Sequence, residues 1–394
     1  MTETAKPVYL DNNATTPLDP RVLEEMMPYL TEEFGNPASS THAFGWNAEA
    51  AVDVARERAA EAVGASPEEI IFTSGATESD NAALLGMLRP GDHLITAATE
   101  HEAILETAYY LAKAGVEVTV LPVDEHGVVS PDSLRAAMHC ETTLVSIMLA
   151  NNETGTMNPV GELADIAHER GVPFHTDAAQ ALAKVPVNVE ELGVDMMSLS
   201  AHKAYGPKGV GALYVRRRTA AGVRRFRLSP LLRGGGQERR MRSGTLNVPG
   251  IIGFGKAAEL GASSFSEERE RLSSLRDRLH EILRQRIPDL RLNGHPERRL
   301  PNTLNVSFPG VDVGDLLGAM PDVAASAGSA CASLDAEPSH VLEAMGAEDG
   351  DSAAIRFSLG RFTKDEEIER VGKTVVEAYE GLAHEKAASR KADG

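Results

Sequence analysis

Cysteine is almost missing from this chain, which has Cys140 and Cys331 and no others in 394 residues. That scarcity excludes a disulfide framework and a Cys-x-x-Cys metal pair, so no metal is expected and each thiol is either buried filler or reactive. Positive charge also falls short, with a formal net charge of -19. Such a surface repels phosphate backbones and anionic lipid and argues against nucleic-acid or membrane partners. A local basic patch, Arg216-Arg-Arg-Thr-Ala-Ala-Gly-Val-Arg-Arg-Phe-Arg227, reads as a solvated face or a docking site. No apolar run approaches the ~20 residues of a bilayer crossing. The start, Met1-Thr-Glu-Thr-Ala-Lys, has no basic segment leading into an apolar core, and a cytoplasmic protein is expected. No Gly-x-Gly-x-x-Gly fingerprint follows a strand. Gly250-Ile-Ile-Gly-Phe-Gly-Lys-Ala257 approaches a P-loop, but Ala257 stands where magnesium needs a hydroxyl, so an apolar helix start is the better reading. There is no internal repeat.

What the chain does have is apolar content of 42%, enough for substantial cores and for two or three domains. From about Ile70 to Val215, short apolar runs alternate with helical ones: Ile70-Ile-Phe, His93-Leu-Ile-Thr-Ala, Val116-Glu-Val-Thr-Val-Leu, Thr143-Leu-Val-Ser-Ile-Met, Val172-Pro-Phe-His-Thr, Met196-Met-Ser-Leu and Gly211-Ala-Leu-Tyr-Val. The alternation predicts an α/β domain with a mainly parallel seven-stranded sheet covered on both faces, its functional loops at one edge. Beyond Ser264 the pattern changes to charged helices around Leu304-Asn-Val-Ser-Phe and Ile355-Arg-Phe-Ser-Leu, a smaller α+β domain. The expected division is residues 15–263 for the large domain and residues 1–14 with 264–394 for the small one. A polar tail from Ala383 is expected to fray.

Candidate chemistry gathers where the predicted strands end. Lys203, in Ser200-Ala-His-Lys-Ala-Tyr-Gly-Pro-Lys-Gly, follows a buried strand, and an ε-amine becomes a nucleophile where its surroundings depress its pKa. Pyridoxal phosphate is the cofactor that needs such an amine, together with an acid at its ring nitrogen. Asp177, at the end of Val172-Pro-Phe-His-Thr-Asp, suits that role, although the same residue also suits a helix N-cap. Gln180 is three residues on. In Ile71-Phe-Thr-Ser-Gly-Ala-Thr-Glu, the N–H groups of Gly75, Ala76 and Thr77 at a helix start make an anion site suited to one phosphate, or else merely a capped helix. His101, in Thr99-Glu-His, either stacks on a ring or starts a helix. Cys140 ends a helix-like stretch and reads as structural, whereas Cys331 lies in a run of Ala, Gly and Ser with few large anchors, suited to carrying a thiol into a cleft.

Taken together, Tyr9-Leu-Asp-Asn-Asn-Ala-Thr-Thr-Pro, Thr73-Ser-Gly-Ala-Thr-Glu-Ser-Asp-Asn, Thr99-Glu-His, Asn151-Asn-Glu-Thr-Gly, His175-Thr-Asp-Ala-Ala-Gln, the Lys203 segment, Arg242-Ser-Gly-Thr and Gly328-Ser-Ala-Cys resemble the cysteine desulfurases of the NifS/IscS type, from about Val8 to Ala378. The resemblance implies the class V aminotransferase group of fold-type I pyridoxal-phosphate enzymes. It implies a homodimer that converts L-cysteine to L-alanine and leaves a persulfide on Cys331, for an iron–sulfur scaffold or other sulfur acceptor. Carried over, Lys203 is the Schiff-base lysine, Asp177 pairs with the ring nitrogen, Gln180 bonds the phenolic oxygen and His101 stacks on the ring. Ala76, Thr77, Ser200 and His202 hold the phosphate of pyridoxal 5'-phosphate, with Thr245 from the other subunit. Asn152 lies beside the cofactor and, with Asn13 and Arg356, meets the substrate. The run after Cys331 has the length of the IscS/NifS-like branch, but Ala332 and Asp335 depart from the residues many relatives have there, and no carboxyl-terminal docking extension is evident. Two other readings share the cofactor, a class V aminotransferase and a selenocysteine lyase. A third is a non-catalytic sulfur carrier or scaffold, against which Lys203, Asp177, His101 and Cys331 together count.

Overall fold

The computed structural model describes residues 6–217, 228–263, 265–327, 339–347 and 352–392. Cys331, Ala332, Asp335 and the basic patch from residue 218 onward lie outside the described residues. After a short strand β1 (Val8–Tyr9), helix α1 (Pro20–Thr31) starts on an Asp19 cap, with proline at its first position where no N–H is needed. Helix α2 (Ala43–Glu61) follows. The chain then alternates through β2 (Ile70–Thr73), α3 (Ala76–Met87), β3 (His93–Ala97), α4 (Glu102–Lys113), β4 (Glu117–Leu121), α5 (Pro131–Ala137), β5 (Thr142–Ser146), α6 (Val160–Glu169), β6 (Phe174–Asp177), β7 (Met196–Ser200) and β8 (Gly211–Val215).

These seven strands form one sheet in the order β2-β8-β7-β6-β5-β3-β4, in which only β8 runs against its neighbours. Side chains of successive strand residues point to opposite faces, and both faces are buried here. Ile70, Phe72, Ile95, Val145, Met197 and Leu199 enter a core with α2, α5, α6 and helix α7 (Val248–Ser263). Their neighbours Ile71, Leu94, Leu144 and Met196 enter another beneath α3 and α4. The Gly250–Ala257 run lies within α7. A Cβ at Gly255 would stand 2.6 Å from Ala55 Cα, so the glycine permits the close crossing of α7 on α2.

Among the described residues the remaining strands are β9 (Arg291–Asn293), β10 (Thr303–Pro309), β11 (Val323–Ala324) and β12 (Ser352–Ser358). They form an antiparallel β12-β10-β9 sheet and a parallel β1-β11 pair. Helices α8 (Phe265–Arg286), α9 (Val313–Gly318), α10 (His340–Ala344) and α11 (Asp365–Ala392) accompany them. Leu272, Leu275, Leu279 and Leu283, three or four residues apart on α8, cover β10 and β12 in a core that also takes Val8 and Leu10 from the amino-terminal end. The expectation of a frayed tail is corrected, because α11 continues to Ala392. Its Tyr379 hydroxyl donates to Pro309 O, and its apolar stripe of Ile368, Val371, Val375 and Val376 packs into that core, so the helix carries on from a well-anchored base.

Candidate active site

Because β2, β3, β5, β6 and β7 run in one direction, their carboxyl ends share an edge, and the connection order reverses between β3 and β5. Open α/β sheets bind ligands at such a switch point. A cavity of about 490 Å³ lies there, lined by Asn13, Ala76, Thr77, His101, Asn152, Asp177, Gln180, Ser200, His202, Lys203 and Arg356. Thus eleven sequence-proposed residues, taken from seven separate stretches, meet at one place. Thr245 is exposed and does not line it.

At one end of the cavity α3 begins after Gly75, which has φ 154° and no side-chain cap. A Cβ there would meet nothing within 4 Å, so the first turn of a twelve-residue helix opens onto the cavity. The Ser200 hydroxyl is buried with no hydrogen-bond partner. His202 Nδ1 lies 3.2 Å from Thr15 Oγ1, and burial with the cations Lys203, Lys208 and Lys184 brings its pKa down to about 4. Open helix N–H groups and an orphaned hydroxyl fit a phosphate.

Asp177 is buried at the end of β6, and its Oδ1 accepts from Ala179 N at 2.8 Å. It therefore does cap the following turn, while its carboxylate still faces the cavity lining. Burial raises its pKa; the Ala179 N–H, His101 and Lys203 oppose that rise. Next to it lies Asp80, buried, with its carboxyl near the Ser198 hydroxyl and its Oδ1 3.7 Å from His175 Nε2. Burial and the neighbouring Asp177 charge push Asp80 well up. Two adjacent carboxylates in a dry site do not both ionise, so Asp177, with the Ala179 N–H and Lys203 to support it, keeps the charge and Asp80 keeps a proton. His175 is held neutral by burial, its pKa brought to about 3. His101 caps α4, its Nδ1 accepting from Ala103 N at 3.1 Å, which leaves Nε2 to carry the ring proton.

Lys203 ends a 3₁₀ turn just past β7, and its Nζ donates to Asn13 O at 2.6 Å and Ala14 O at 2.8 Å. Gln180 Nε2 donates to the same Asn13 oxygen at 2.9 Å. Arg356 on β12 is 1% exposed; Nη1 donates to Asn152 O and Nη2 pairs with Asp11 Oδ1 at 2.7 Å, while Nε has no partner. Asn13 Nδ2 donates to Asn152 O and Thr303 Oγ1, tying the amino-terminal segment to both β10 and the loop after β5. An amine, a buried carboxylate, an amide donor and an open helix start around one cavity fit the functional groups of pyridoxal phosphate.

Sequence reasoning missed several residues around the site. Asp11 pairs with Arg356, Lys184 contacts Gln180, and Asp80 and Glu100 are buried acids; Glu153 accepts from Ser339 Oγ at 2.6 Å. Asp11, Asp80, Glu100 and Glu153 lie inside the motif stretches that carry the family resemblance, which is the one signal that marked them. Cys140 is exposed rather than helical filler, since α5 ends at Ala137. Its Sγ donates to Glu141, which raises the thiol pKa and opposes reactivity. His93, Glu117 and His139 gather at the other end of the sheet. Both His93 ring nitrogens bond threonine hydroxyls, Thr142 and Thr119, and its ring stacks on His139 at 4.0 Å, an arrangement that serves strand packing.

The sequence profile of the aminotransferase class-V family matches residues 8–371. The chain is 53% identical over 381 residues to a cysteine desulfurase IscS of Anaeromyxobacter sp. (strain Fw109-5), covering 95% of this chain and 93% of that protein. To the cysteine desulfurase of Homo sapiens it is 48% identical, covering 92% of this chain and 80% of the other. Among solved structures, a NifS-like protein superposes with a TM-score of 0.86 at 40% identity over 95% of this chain and all of that one. SspA in complex with cysteine superposes at 0.79 with 36% identity, over 90% of this chain and 99% of that one. A profile spanning the sheet, the cavity and β12, with relatives about half identical over nearly the whole length, means that the chain belongs to the aminotransferase class-V family and, within it, to the cysteine desulfurases.

Proposed function

We propose that the protein binds pyridoxal 5'-phosphate in this cavity, converts L-cysteine to L-alanine and carries the sulfur away as a persulfide on Cys331. The observation that carries the reading is the convergence of Lys203 Nζ and Gln180 Nε2 on one acceptor oxygen beside buried Asp177 and the open start of α3. When bound, the cofactor supplies an electron sink for the charge left on the substrate Cα.

The chain's own residues do the rest. The N–H groups of Ala76 and Thr77, the Ser200 hydroxyl and His202 hold the phosphate, with Thr245 from a second subunit, whose own cavity it does not line. Asp177 keeps the proton on the ring nitrogen, Gln180 donates to the phenolic oxygen and His101 packs against the ring. Arg356, Asn152 and Asn13 orient the substrate carboxylate; each terminal nitrogen of Arg356 has a second N–H beyond the one already engaged. Lys203 Nζ takes the proton from Cα. The Cys331 thiolate attacks the substrate sulfur, forming an S–S bond as the C–S bond breaks. The electron pair passes to carbon, which takes up a proton on the way to alanine, so no external oxidant or reductant is needed. His101 Nε2 is suited to move protons between these groups.

On this reading the enzyme is a homodimer with residues 15–263 as the cofactor domain and residues 1–14 with 264–394 as the small domain, and the sulfur goes to an iron–sulfur scaffold or another acceptor protein. Among the described residues no helix is long and apolar enough to cross a membrane, and we assign the protein to the cytoplasm. Borohydride reduction of the cofactor-loaded protein followed by peptide mapping tests the central amine. The label should sit on Lys203; label on exposed Lys208 would end the assignment.

A further inference from the structure

The turn after β6 carries a lysine that no step above uses. Lys184 is 5% exposed, and its Nζ donates to Gln180 Oε1 at 2.6 Å and to Asn13 Oδ1 at 3.2 Å. Backbone bonds from Ala181 and Leu182 to Ala178 and from Lys184 and Val185 to Ala181 wind this stretch tightly, which brings Gln180 and Lys184 together four residues apart. Burial, followed by the cations Lys203 and Arg356, holds its amine well below the ordinary lysine range. Lys184 Nζ thus meets two oxygen acceptors, one from Gln180 and one from Asn13.

The consequence falls on Gln180. A carboxamide has a donor end and an acceptor end of nearly equal shape, and its neighbours decide which end points where. At Gln180 there are two deciding neighbours, Lys184 donating to Oε1 and Asn13 O accepting from Nε2. Turned over, the amide would set its oxygen against the Asn13 carbonyl and lose both contacts. The Asn13 oxygen also takes Lys203 Nζ, so the donor end of Gln180 and the reactive amine address the same point in the cavity. Asn13 Oδ1 is fixed in turn by Asn302 Nδ2 at 3.1 Å.

We propose that Lys184 is a positioning residue which, by occupying Gln180 Oε1, commits Gln180 Nε2 as the hydrogen-bond donor to the phenolic oxygen of the cofactor. The proposal rests on the pyridoxal phosphate reading above. Without Lys184 only the Asn13 carbonyl orders the amide, so the turned orientation is less disfavoured and the donor is partly lost. A donor at an oxygen lowers its basicity, so its loss raises the pH at which the bound chromophore gives up its proton.

The test is a double-mutant cycle on the loaded protein with K184M and Q180L, and K184A run in parallel so that a soluble variant is available. Two readouts are used, the pH midpoint of the visible absorbance of the bound cofactor and the cofactor dissociation constant. K184M should raise proton affinity and weaken cofactor binding about 3- to 10-fold each, the range that one net hydrogen bond covers. In the Q180L background the same change should add less than about 1.5-fold, because contacting residues that act through one another are not additive. An unchanged midpoint and affinity in K184M, or effects of K184M and Q180L that multiply, would overturn the proposal. A parent protein that takes up no cofactor would instead refute the reading on which it rests.

Discussion

Replacing Glu238 by glutamine should weaken the fold at a point that leads directly to the site. Glu238 Oε1 accepts from Arg56 Nη2 at 2.7 Å, and Oε2 accepts from Arg56 Nη1 and from Phe72 N, each at 2.8 Å. The two side chains are 8% and 2% exposed, and the guanidinium also lies over the Phe72 ring and bonds Ile70 O. Removing one partner of a buried ion pair costs about 3–5 kcal/mol, and the glutamine carbonyl retains one bond worth about 0.5–1.5 kcal/mol, which leaves a loss of about 2–4 kcal/mol. Urea midpoints with unchanged slopes would measure it. Arg56→Met with Glu238→Leu should cost less than Glu238→Gln alone, since no charge is then stranded in the interior. The turn at Glu238, Arg239 and Arg240 has φ of 44°, 55° and 68°, a left-handed run of non-glycine residues held by this ion pair. It leads into Arg242, which pairs with Glu78 on α3 at 2.9 Å. A Glu238→Gln loss below about 0.5 kcal/mol, the usual range of a surface change, or a double variant weaker than the single one, would refute the reasoning.

Asp177→Asn should still bind the cofactor but lose about 10²- to 10³-fold in turnover, by analogy with removing one preorganised electrostatic partner; near-parental alanine formation would count against its role at the ring nitrogen. His168 Nε2 lies 2.8 Å from Asp195 Oδ2, and that bond raises the imidazole pKa. A raised folded-state pKa contributes stability that is fully present below the unfolded value of about 6.5 and fades as pH rises through the folded value. His168→Gln should therefore cost more at about pH 5.5 than at about pH 9, and equal losses in denaturant melts at the two pH values would contradict the assignment.

The site was legible in the sequence wherever function sits at a strand's end. Lys203, Asp177, His101 and Thr77 each follow an apolar run by a few residues, so a parallel sheet brings them to one edge without further information. Ile70-Ile-Phe and Met196-Met-Ser-Leu were readable as strands because both faces are buried and the runs are continuously apolar. Lys184 was not legible, since a lysine is ordinarily solvated and only the tight turn after β6 buries this one. Glu238 and Arg56 are 182 residues apart, and nothing local announces that they will pair. Asp11 was hidden for the same reason, because its partner Arg356 arrives from β12 near the other end of the chain. Cys140 was misjudged because a helical pattern ran past the real end of α5.

The central claim is that sulfur passes through one thiol, and mass analysis of the loaded protein after a single turnover with L-cysteine tests it most directly. The parent should carry one added sulfur on the peptide containing Cys331, with alanine released in equal amount. Cys331→Ala should keep the cofactor and bind cysteine yet form no persulfide, while Cys140→Ala should behave as the parent. Alanine release at the parental rate from Cys331→Ala, or added sulfur on Cys140, would contradict the account.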